Sequence, residues 1–410
     1  MSAKIRLHLE PLEDRCVPDG NVTVFTDGLN NLIIQGDGAN NTIVIEQLGS
    51  TEALQVSGRN ATLINGGEES LTAYIAAEPR GSIRINMNAG NDTVIIRNIN
   101  QTVSQLFGDV TVNFGRGGAS LWVNEIQNFI GQFRVLAGDG SFFTRWSNFS
   151  IAGPVEINAG STPRAIVQMQ IGDAPYLGQF SSLTLQTGRG HDSITLRGRF
   201  LANVVPPRVQ PLTVGDKLLV DSGAGNDTIR MEYLEVLGST SLRTGIGRDT
   251  LNILESDFTG TFLSQLEAGN DTVNIQGGNF QRGIDLLSGG LVPDQDNISI
   301  TGISLNGNLK IITGDGNDTV LLAGSQIAGL PGTTQGQLLI QTGQGQDHVE
   351  LINASIARDM TINLGAGDDS INFSFVNVGG KGNINGGQGT NILMRIGLRA
   401  PLGLTIVNFP

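Results

Sequence analysis

The sequence predicts an all-β protein, a right-handed parallel β-helix (β-solenoid) of 22-residue coils, and two observations carry this prediction. A turn of the form G-x-G-x-D recurs, as in SGAGNDTIRM, TGDGNDTVLL and LGAGDDSINF. Apolar residues then follow each turn with period-2 alternation, which is typical of a short strand with one buried face. Because a unit this small cannot bury its apolar face alone, the units are expected to stack.

The Asp of the turn sets the period of the repeat. Asp227, Asp249 and Asp271 are 22 residues apart, and the same spacing returns after two insertions as far as Asp369. Asn391 takes the Asp position one period later. Roughly 15 coils at a strand spacing of ~4.8 Å are expected to make a rod of roughly 70 Å. Right-handed winding is the default for parallel crossovers.

Each coil is expected to supply two strands and a short third segment. Apolar residues stand two, four and nine positions after the Asp, as in Ile229, Met231 and Val236. Another apolar pair precedes the turn, as in Leu338 and Ile340. Helical spacing of apolar residues does not persist across a coil, so the pattern favours strands throughout.

These patterns divide the chain into three parts. Residues 1–20 form a charged arm that is expected to be disordered and holds Cys16, the single cysteine. Residues 21–395 form one solenoid, with irregular coils to about residue 190 and regular coils after it. Residues 396–410 leave the repeat and are expected to cap the last coil, whose open strand edges would otherwise aggregate.

Composition restricts the function classes. The net charge is −13 and only 15% of the residues are charged, which disfavours nucleic acid and anionic membranes as partners. No apolar run approaches the 18 or so residues of a spanning helix, so no membrane span is expected. With one cysteine an internal disulfide is impossible, and with three His the chain has few general bases.

The turn Asp residues are the candidate metal ligands. Their side chains can accept hydrogen bonds from turn N–H groups, and this structural role is sufficient by itself. Stacking nevertheless brings neighbouring carboxylates to about 4.8 Å, where they repel by roughly 1 kcal/mol in water. N–H donors, protons or a cation such as Ca²⁺ would offset this repulsion. The candidates are Asp92, Asp192, Asp227, Asp249, Asp271, Asp318, Asp347 and Asp369.

Three turns resemble the nonapeptide G-G-x-G-x-D-x-U-x of the RTX (hemolysin-type) calcium-binding β-rolls. The matching segments are Gly223–Met231, Gly314–Leu322 and Gly365–Phe373. In that family calcium lies between successive turns, held by the Asp and by turn carbonyls, so the resemblance implies Ca²⁺ as a cofactor. Here the nonapeptide occurs once per coil rather than in tandem, and its leading Gly pair is usually absent.

The leader carries a second resemblance. LEPLEDR (Leu9–Arg15) resembles the LEPR-type N-terminal motif of many large planctomycete surface and secreted proteins. This resemblance implies a bacterial protein of the cell envelope or exterior. The leader itself has no apolar core of the kind a conventional signal peptide needs.

An enzyme of the β-helix class is the main alternative, since such folds often carry polysaccharide lyases and glycoside hydrolases. Their sites need grouped carboxylates, or carboxylates with Lys or Arg, on neighbouring coils. The outward position three residues after the Asp is mostly amide or hydroxyl: Arg230, Asn252, Asn274, Ser299, Leu321, Glu350 and Asn372. No catalytic residue is assigned on this pattern.

An aromatic group upstream is the best candidate for a ligand. Trp122 lies about one coil before Phe142, Arg145 and Trp146. These side chains could stack on sugar rings, although aromatic packing inside the column is the alternative. The function we expect is therefore a non-catalytic extracellular or cell-surface solenoid with a structural or adhesive role. Its expected partner is a polysaccharide or the envelope matrix. A carbohydrate-binding or polysaccharide-cleaving β-helix is the alternative.

Overall fold

A computed structural model of the chain describes residues 20–48, 53–67, 70–74, 81–100, 108–160, 162–171, 178–203, 207–290, 293–330 and 332–409. These residues form an all-β parallel solenoid of about 13 turns without a helix, which confirms the predicted fold class. The coil number is close to the predicted 15, and right-handed winding stays a prediction. LEPLEDR and Cys16 lie outside the described residues.

The strands that follow the turn stack into the post-turn sheet. Its parallel strands are Thr42–Gln47, Asp92–Asn100, Ala119–Phe129, Phe142–Ile151, Ala165–Gln170, Ser193–Arg197, Thr228–Glu232, Thr250–Leu254, Thr272–Gln276, Asn297–Thr301, Thr319–Ala323, His348–Ile352, Ser370–Ser374 and Ile392–Ile396. The register keeps equivalent residues together, so Val349 pairs with Ile371 and Leu351 with Phe373. All four are buried, as the period-2 alternation predicts.

The strands that precede the turn stack into the pre-turn sheet, which faces the first across the core. Its strands are Gly20–Thr26, Leu32–Gln35, Thr62–Ile64, Ile83–Asn86, Val110–Asn113, Phe133–Leu136, Val155–Asn158, Leu183–Gln186, Leu218–Asp221, Thr240–Arg243, Phe262–Gln265, Ile284–Leu287, Leu309–Ile312, Leu338–Gln341, Met360–Asn363, Gly382–Asn385 and Leu404–Val407. Leu338 and Ile340 point inward in register with Met360 and Ile362.

A third, narrow sheet holds the predicted short segment of each coil. Its strands are Gln179–Phe180, Leu212–Val214, Leu234–Val236, Asp257–Phe258, Asn279–Phe280, Ser304–Asn306, Gln326–Ala328, Ser355–Ile356 and Asn377–Val378. One coil carries an antiparallel hairpin of Arg199–Leu201 with Arg208–Gln210 before it enters this sheet.

The N-terminal end of the post-turn sheet is closed by antiparallel pairing. Ala53–Arg59 pairs with Thr42–Gln47, and Ser70–Tyr74 pairs with Ala53–Arg59 in turn. This meander covers the edge that the first parallel strand would otherwise expose. The alternation of apolar residues is the same in parallel and antiparallel strands, so the sequence pattern did not reveal it.

The C-terminal end is more open. Within the predicted cap, residues 396–410, the strand Leu404–Val407 pairs in parallel with Gly382–Asn385 and keeps the repeat register. The last strand of the post-turn sheet exposes apolar side chains, with Ile392 56% and Met394 57% exposed.

Candidate functional site: a buried carboxylate ladder

The turn Asp residues form one continuous hydrogen-bonded column. Each backbone N–H donates to an Oδ1 atom of the Asp in the next coil, as from Asp227 to Asp249 (2.8 Å) and from Asp249 to Asp271 (2.8 Å). We call this column the Asp ladder, and it holds Asp192, Asp227, Asp249, Asp271, Asp296, Asp318, Asp347, Asp369 and, at its end, Asn391. A separate step joins Asn41 to Asp92 (2.8 Å).

A second bond ties each step of the Asp ladder. The backbone carbonyl of the ladder Asp accepts the N–H of the first strand residue of the next coil, as Asp227 does from Thr250 (2.8 Å). Each ladder Asp therefore both closes its own turn and fixes the coil that follows. The side-chain oxygen serves as the acceptor that the backbone of the tight turn does not supply.

The residues before the ladder Asp form a second column beside the first. Its hydrogen bonds have the opposite direction, because the N–H of the later coil donates to a side chain of the earlier coil. The Asn226 side-chain oxygen accepts the N–H of Arg248 from the next coil (2.9 Å), and Asn317 accepts the N–H of Gln346 (2.7 Å). His191 takes the same role through Nδ1, which accepts the N–H of Asn226 (2.9 Å). The recurring N-D dipeptide was the signal for this second column, and sequence reasoning missed it.

The other carboxylate oxygen of each ladder Asp is left over. Oδ2 is buried and has no hydrogen-bond partner among the described residues in Asp92, Asp192, Asp227, Asp249, Asp271, Asp296, Asp318, Asp347 and Asp369. A buried carboxylate with one unsatisfied oxygen is costly, because desolvation penalises its charged form.

Burial accordingly raises the pKa of every one of these carboxyl groups above its usual value. The pKa rises to about 6 in Asp249, to about 7 in Asp227 and to about 9 in Asp271. Burial is the largest cause in each case, and the hydrogen bond from the preceding N–H opposes it. Neighbouring ladder carboxylates add to the rise at Asp227 and Asp271.

A hydroxyl group moderates the rise in most coils. Thr244 stands five residues before Asp249 and lowers the pKa of that carboxyl, and Ser222 does the same for Asp227. In the coil of Asp271 this position is Leu266, which is fully buried and offers no hydroxyl. Burial and the neighbouring carboxylates of Asp296, Asp249 and Asp294 therefore raise the pKa of Asp271 without a hydroxyl to oppose them.

Asparagine ends the column at its C-terminal side and satisfies both of its polar atoms. Asn391 Oδ1 accepts the N–H of Asp369 (2.9 Å), and its Nδ2 donates to the carbonyl of Asn408 (3.1 Å). In the separate step, Asn41 Nδ2 donates to the carbonyl of Ala39 two residues earlier (2.9 Å), while its Oδ1 is buried without a hydrogen-bond partner among the described residues. An amide therefore fits the ladder position without a buried charge.

All eight predicted metal ligands lie in these columns, each with one oxygen engaged by an N–H group. Calcium binding by the eight stays a prediction. Among the described residues, the carboxylates that come close enough in threes to hold an ion are Asp294, Asp296 and Asp318. Of these only Asp318 belongs to the predicted set, and Asp294 and Asp296 were missed.

The predicted ligand group is split between the two faces of the post-turn sheet. Phe142 and Trp146 point into the core, with Trp146 0% exposed, so they offer no ring face to a sugar. Trp122 is 38% exposed, contacts Phe143 with ring centroids 5.1 Å apart, and pairs in register with Arg145. The outer face therefore retains Trp122, Phe143 and Arg145.

The outer face of the regular coils carries mainly polar side chains. The predicted outward residues Asn252 and Asn274 are in register, and Asn274 Nδ2 donates to Asn252 Oδ1 (2.9 Å). A buried carboxylate, Glu232, is paired with Arg197 (2.8 Å) and with Arg230 at the end of two strands. The charge of this carboxylate is thus engaged by two cations.

No family model, no curated protein and no solved structure matches this chain. No helix among the described residues is long and apolar enough to cross a membrane.

Proposed function

We propose that the chain is a non-catalytic solenoid scaffold that acts outside the cell or at the cell envelope. The Asp ladder is the observation that carries the proposal, because its carboxyl groups are buried and bonded to neighbouring coils. Such groups stiffen the column and are not presented to a substrate. The resemblance of LEPLEDR to an envelope-protein motif supports the location.

Surface shaving of intact host cells tests this role. Protease added to whole cells should remove the chain from the envelope fraction, while a cytoplasmic marker protein stays intact. A chain that remains protected until the cells are lysed would contradict the proposal.

Calcium binding along the Asp ladder is part of the proposal. The unpartnered Oδ2 atoms of successive coils support it, since a cation would neutralise charge where no N–H donor reaches. Ladder binding predicts several equivalents of Ca²⁺ per chain and a higher melting temperature than in chelator. Identical melts in Ca²⁺ and chelator would contradict it.

Carbohydrate binding is the second candidate, and the exposed ring pair Trp122–Phe143 favours it. A surface groove of about 300 Å³ beside this pair is lined by Asn91, Ser120, Phe143 and Arg164 among others. An aromatic face next to an Arg, an amide and hydroxyl groups suits the stacking and hydrogen bonding of a sugar.

A glycan array separates the two candidates. Binding that is lost in Trp122→Ala but kept in Phe200→Ala would establish the carbohydrate role, since Phe200 is an exposed ring stacked on Tyr233 elsewhere. An array and a polysaccharide-lyase screen without hits would remove it.

A further inference from the structure

One coil departs from the repeat and gathers three carboxylates. One oxygen from each of Asp294, Asp296 and Asp318 lies within 4.8 Å of the others. All three side chains are buried, with Asp294 8%, Asp296 2% and Asp318 1% exposed. Asp296 and Asp318 belong to the Asp ladder, whereas Asp294 does not, so the third carboxylate needs its own explanation.

Asp294 occupies a place that neighbouring coils give to glycine, two residues before the ladder Asp. A parallel bridge aligns Asp294 with Gly316 of the next coil. In the regular coil before it, Gly269 has φ 148°, and an added Cβ would lie 1.5 Å from the Gly247 carbonyl oxygen. The coil of Asp294 is 25 residues long rather than 22. The enlarged coil thus admits a carboxylate where the repeat accepts only glycine.

Each of the three carboxylates is anchored through one oxygen and leaves the other free. Asp294 Oδ2 accepts the N–H of Gly269 (3.0 Å), Asp296 Oδ1 that of Asp271 (2.8 Å) and Asp318 Oδ1 that of Asp296 (2.9 Å). Asp294 Oδ1, Asp296 Oδ2 and Asp318 Oδ2 are buried without a hydrogen-bond partner among the described residues. The backbone therefore holds three acceptor-only groups in place and satisfies none of them fully.

A fourth oxygen belongs to the same cluster. Ser288 is 0% exposed, and its hydroxyl lies beside the Asp296 carboxyl. Within the described residues this hydroxyl makes no hydrogen bond of good geometry. Further carboxylates, Asp315 and Asp347, act on Asp294 and Asp318 and raise their pKa, so their charges add to the repulsion within the cluster.

We propose that Asp294, Asp296 and Asp318, with the Ser288 hydroxyl, bind a single divalent cation of the size of Ca²⁺. A set of oxygen donors without nitrogen or sulfur selects a hard cation. Ca–O bonds of 2.3–2.6 Å allow ligand oxygens to lie up to about 5 Å apart across the ion, and the three carboxylate oxygens lie within 4.8 Å of one another. Mg²⁺, with bonds of about 2.1 Å, would need a tighter shell.

This site differs from the proposed calcium sites along the Asp ladder. Asp294 belongs to a single coil, whereas the ladder extends through many coils. The site also does not rest on the scaffold role, since the ion would bind whatever the rod supports. The site predicts one equivalent of Ca²⁺ per chain, whereas ladder binding predicts several.

Calorimetric titration of the chelator-treated full chain with CaCl₂ tests the proposal. We expect one bound equivalent to depend on Asp294, so that Asp294→Gly loses it and Asp368→Asn keeps it, whatever number of further equivalents the ladder binds. Asp368 is exposed, lies in a regular turn and accepts the N–H of Thr390 (2.7 Å), which an amide oxygen can also do. Asp294→Gly restores the glycine of the repeat, and circular dichroism checks its fold.

A second variant covers the case in which Asp294→Gly fails to fold. Asp294→Asn keeps the size and the acceptor for Gly269 and removes one charge, so we expect its Ca²⁺ affinity to fall at least tenfold. No binding to the wild-type chain, or one equivalent that neither Asp294 variant weakens, would overturn the proposal. Several equivalents that persist in both variants would assign calcium to the ladder instead.

Discussion

The coils before residue 190 and those after it hold the same stack together by different means. In the regular coils the N–H of the ladder residue donates to a carboxylate of the next coil, as from Asp249 to Asp271. In the irregular coils the ladder position is Ala119, Phe142 and then Ala165. The N–H groups of Ala119 and Phe142 therefore find no carboxylate in the next coil, whereas that of Ala165 donates to Asp192 Oδ1 (2.6 Å). The N–H of Ala119 instead donates to the backbone carbonyl of Ser141 (2.9 Å), and that of Phe142 to Arg164 (2.9 Å).

The irregular coils hold the larger group of packed aromatic rings, while the regular coils hold Phe258, Phe262 and Phe280. Trp146 lies at the centre of a group of rings, 4.7 Å from Phe133 and 6.1 Å from Phe149 between centroids, and Phe149 stacks on Phe180 at 4.8 Å. Their post-turn strands are also longer, with 11 residues in Ala119–Phe129 against five in Thr250–Leu254.

This comparison indicates that the carboxylate of the turn Asp replaces a backbone carbonyl as the acceptor of the N–H from the preceding coil. Where the next coil places an Asp at the ladder position, its carboxylate oxygen completes the ladder of hydrogen bonds. Where the next coil places Ala or Phe there, the backbone carbonyl of the preceding residue is the acceptor. The repeat motif is thus explained without a ligand, while the unsatisfied Oδ2 atoms leave the regular coils sensitive to protons and cations.

A change in pH is expected to have the largest effect on stability, because it acts on every carboxyl group of the Asp ladder at once. Asp227 (pKa about 7) and Asp271 (about 9) lie above the ordinary value of 3.8, so the folded state binds protons more readily than the unfolded chain. This stabilisation is complete below about pH 4 and is lost as the pH rises through 6 to 9. The urea midpoint should therefore be higher at pH 5 than at pH 9.

Asp271→Asn is the control for the pH series. Without a titrating carboxyl at this position, the fall in the urea midpoint between pH 8 and pH 9 should become smaller. A midpoint that is flat or rises across this range in the wild-type chain would contradict the assignment of raised pKa values to the ladder.

Removing the centre of the aromatic group should be the most damaging single substitution. Trp146→Ala leaves a cavity beside Phe133, and large-to-small changes of buried aromatic residues cost about 3–5 kcal/mol of unfolding free energy. Urea unfolding followed by circular dichroism measures this loss. Trp122→Ala is the control, because Trp122 is partly exposed and its loss should cost less.

A smaller loss is expected when a ladder carboxylate is removed from the regular coils. Asp249→Ala leaves the buried N–H of Asp227 without an acceptor, which costs about 1–3 kcal/mol. A wild-type urea midpoint in this variant would show that the carboxylate contributes no net stability.

The smallest effect is expected for Asp249→Asn. The amide oxygen accepts the same N–H, and the amide nitrogen can donate to the Gly247 carbonyl, as Asn41 does to Ala39. The unfolding free energy at pH 7 should stay within about 1 kcal/mol of wild type or rise, since a buried charge is removed. A loss as large as that of Asp249→Ala would contradict this interpretation.

The sequence predicted the fold because the 22-residue spacing of the turns and the alternation of inward and outward residues along a strand can both be read from the chain. The 22-residue register placed Val349 beside Ile371 and assigned both to the core. The alternation could also have divided the predicted ligand group of Trp122, Phe142, Arg145 and Trp146, since Phe142 and Trp146 lie on one face of their strand and Arg145 on the other. Treating the four residues as one cluster ignored that alternation.

The direction of the ladder bonds and the Asp294 cluster were harder to predict. Whether an Asp oxygen accepts from its own turn or from the preceding coil depends on the tilt of the turn, which spacing does not specify. In VPDQD the glycine of the motif is replaced by Asp294, and this local break of the rule was the available signal. The width of the enlarged coil, which allows that side chain, is visible only in three dimensions.

Amide hydrogen exchange at Asp227 tests the central claim most directly. If the Asp249 carboxylate is the acceptor of this N–H, the amide of Asp227 should be strongly protected in the wild-type chain and in Asp249→Asn. In Asp249→Ala its protection should fall, while the equivalent amide of Asp347, which donates to Asp369, keeps its rate. Unchanged protection of Asp227 in Asp249→Ala would contradict the claim that the ladder carboxylate replaces a backbone acceptor.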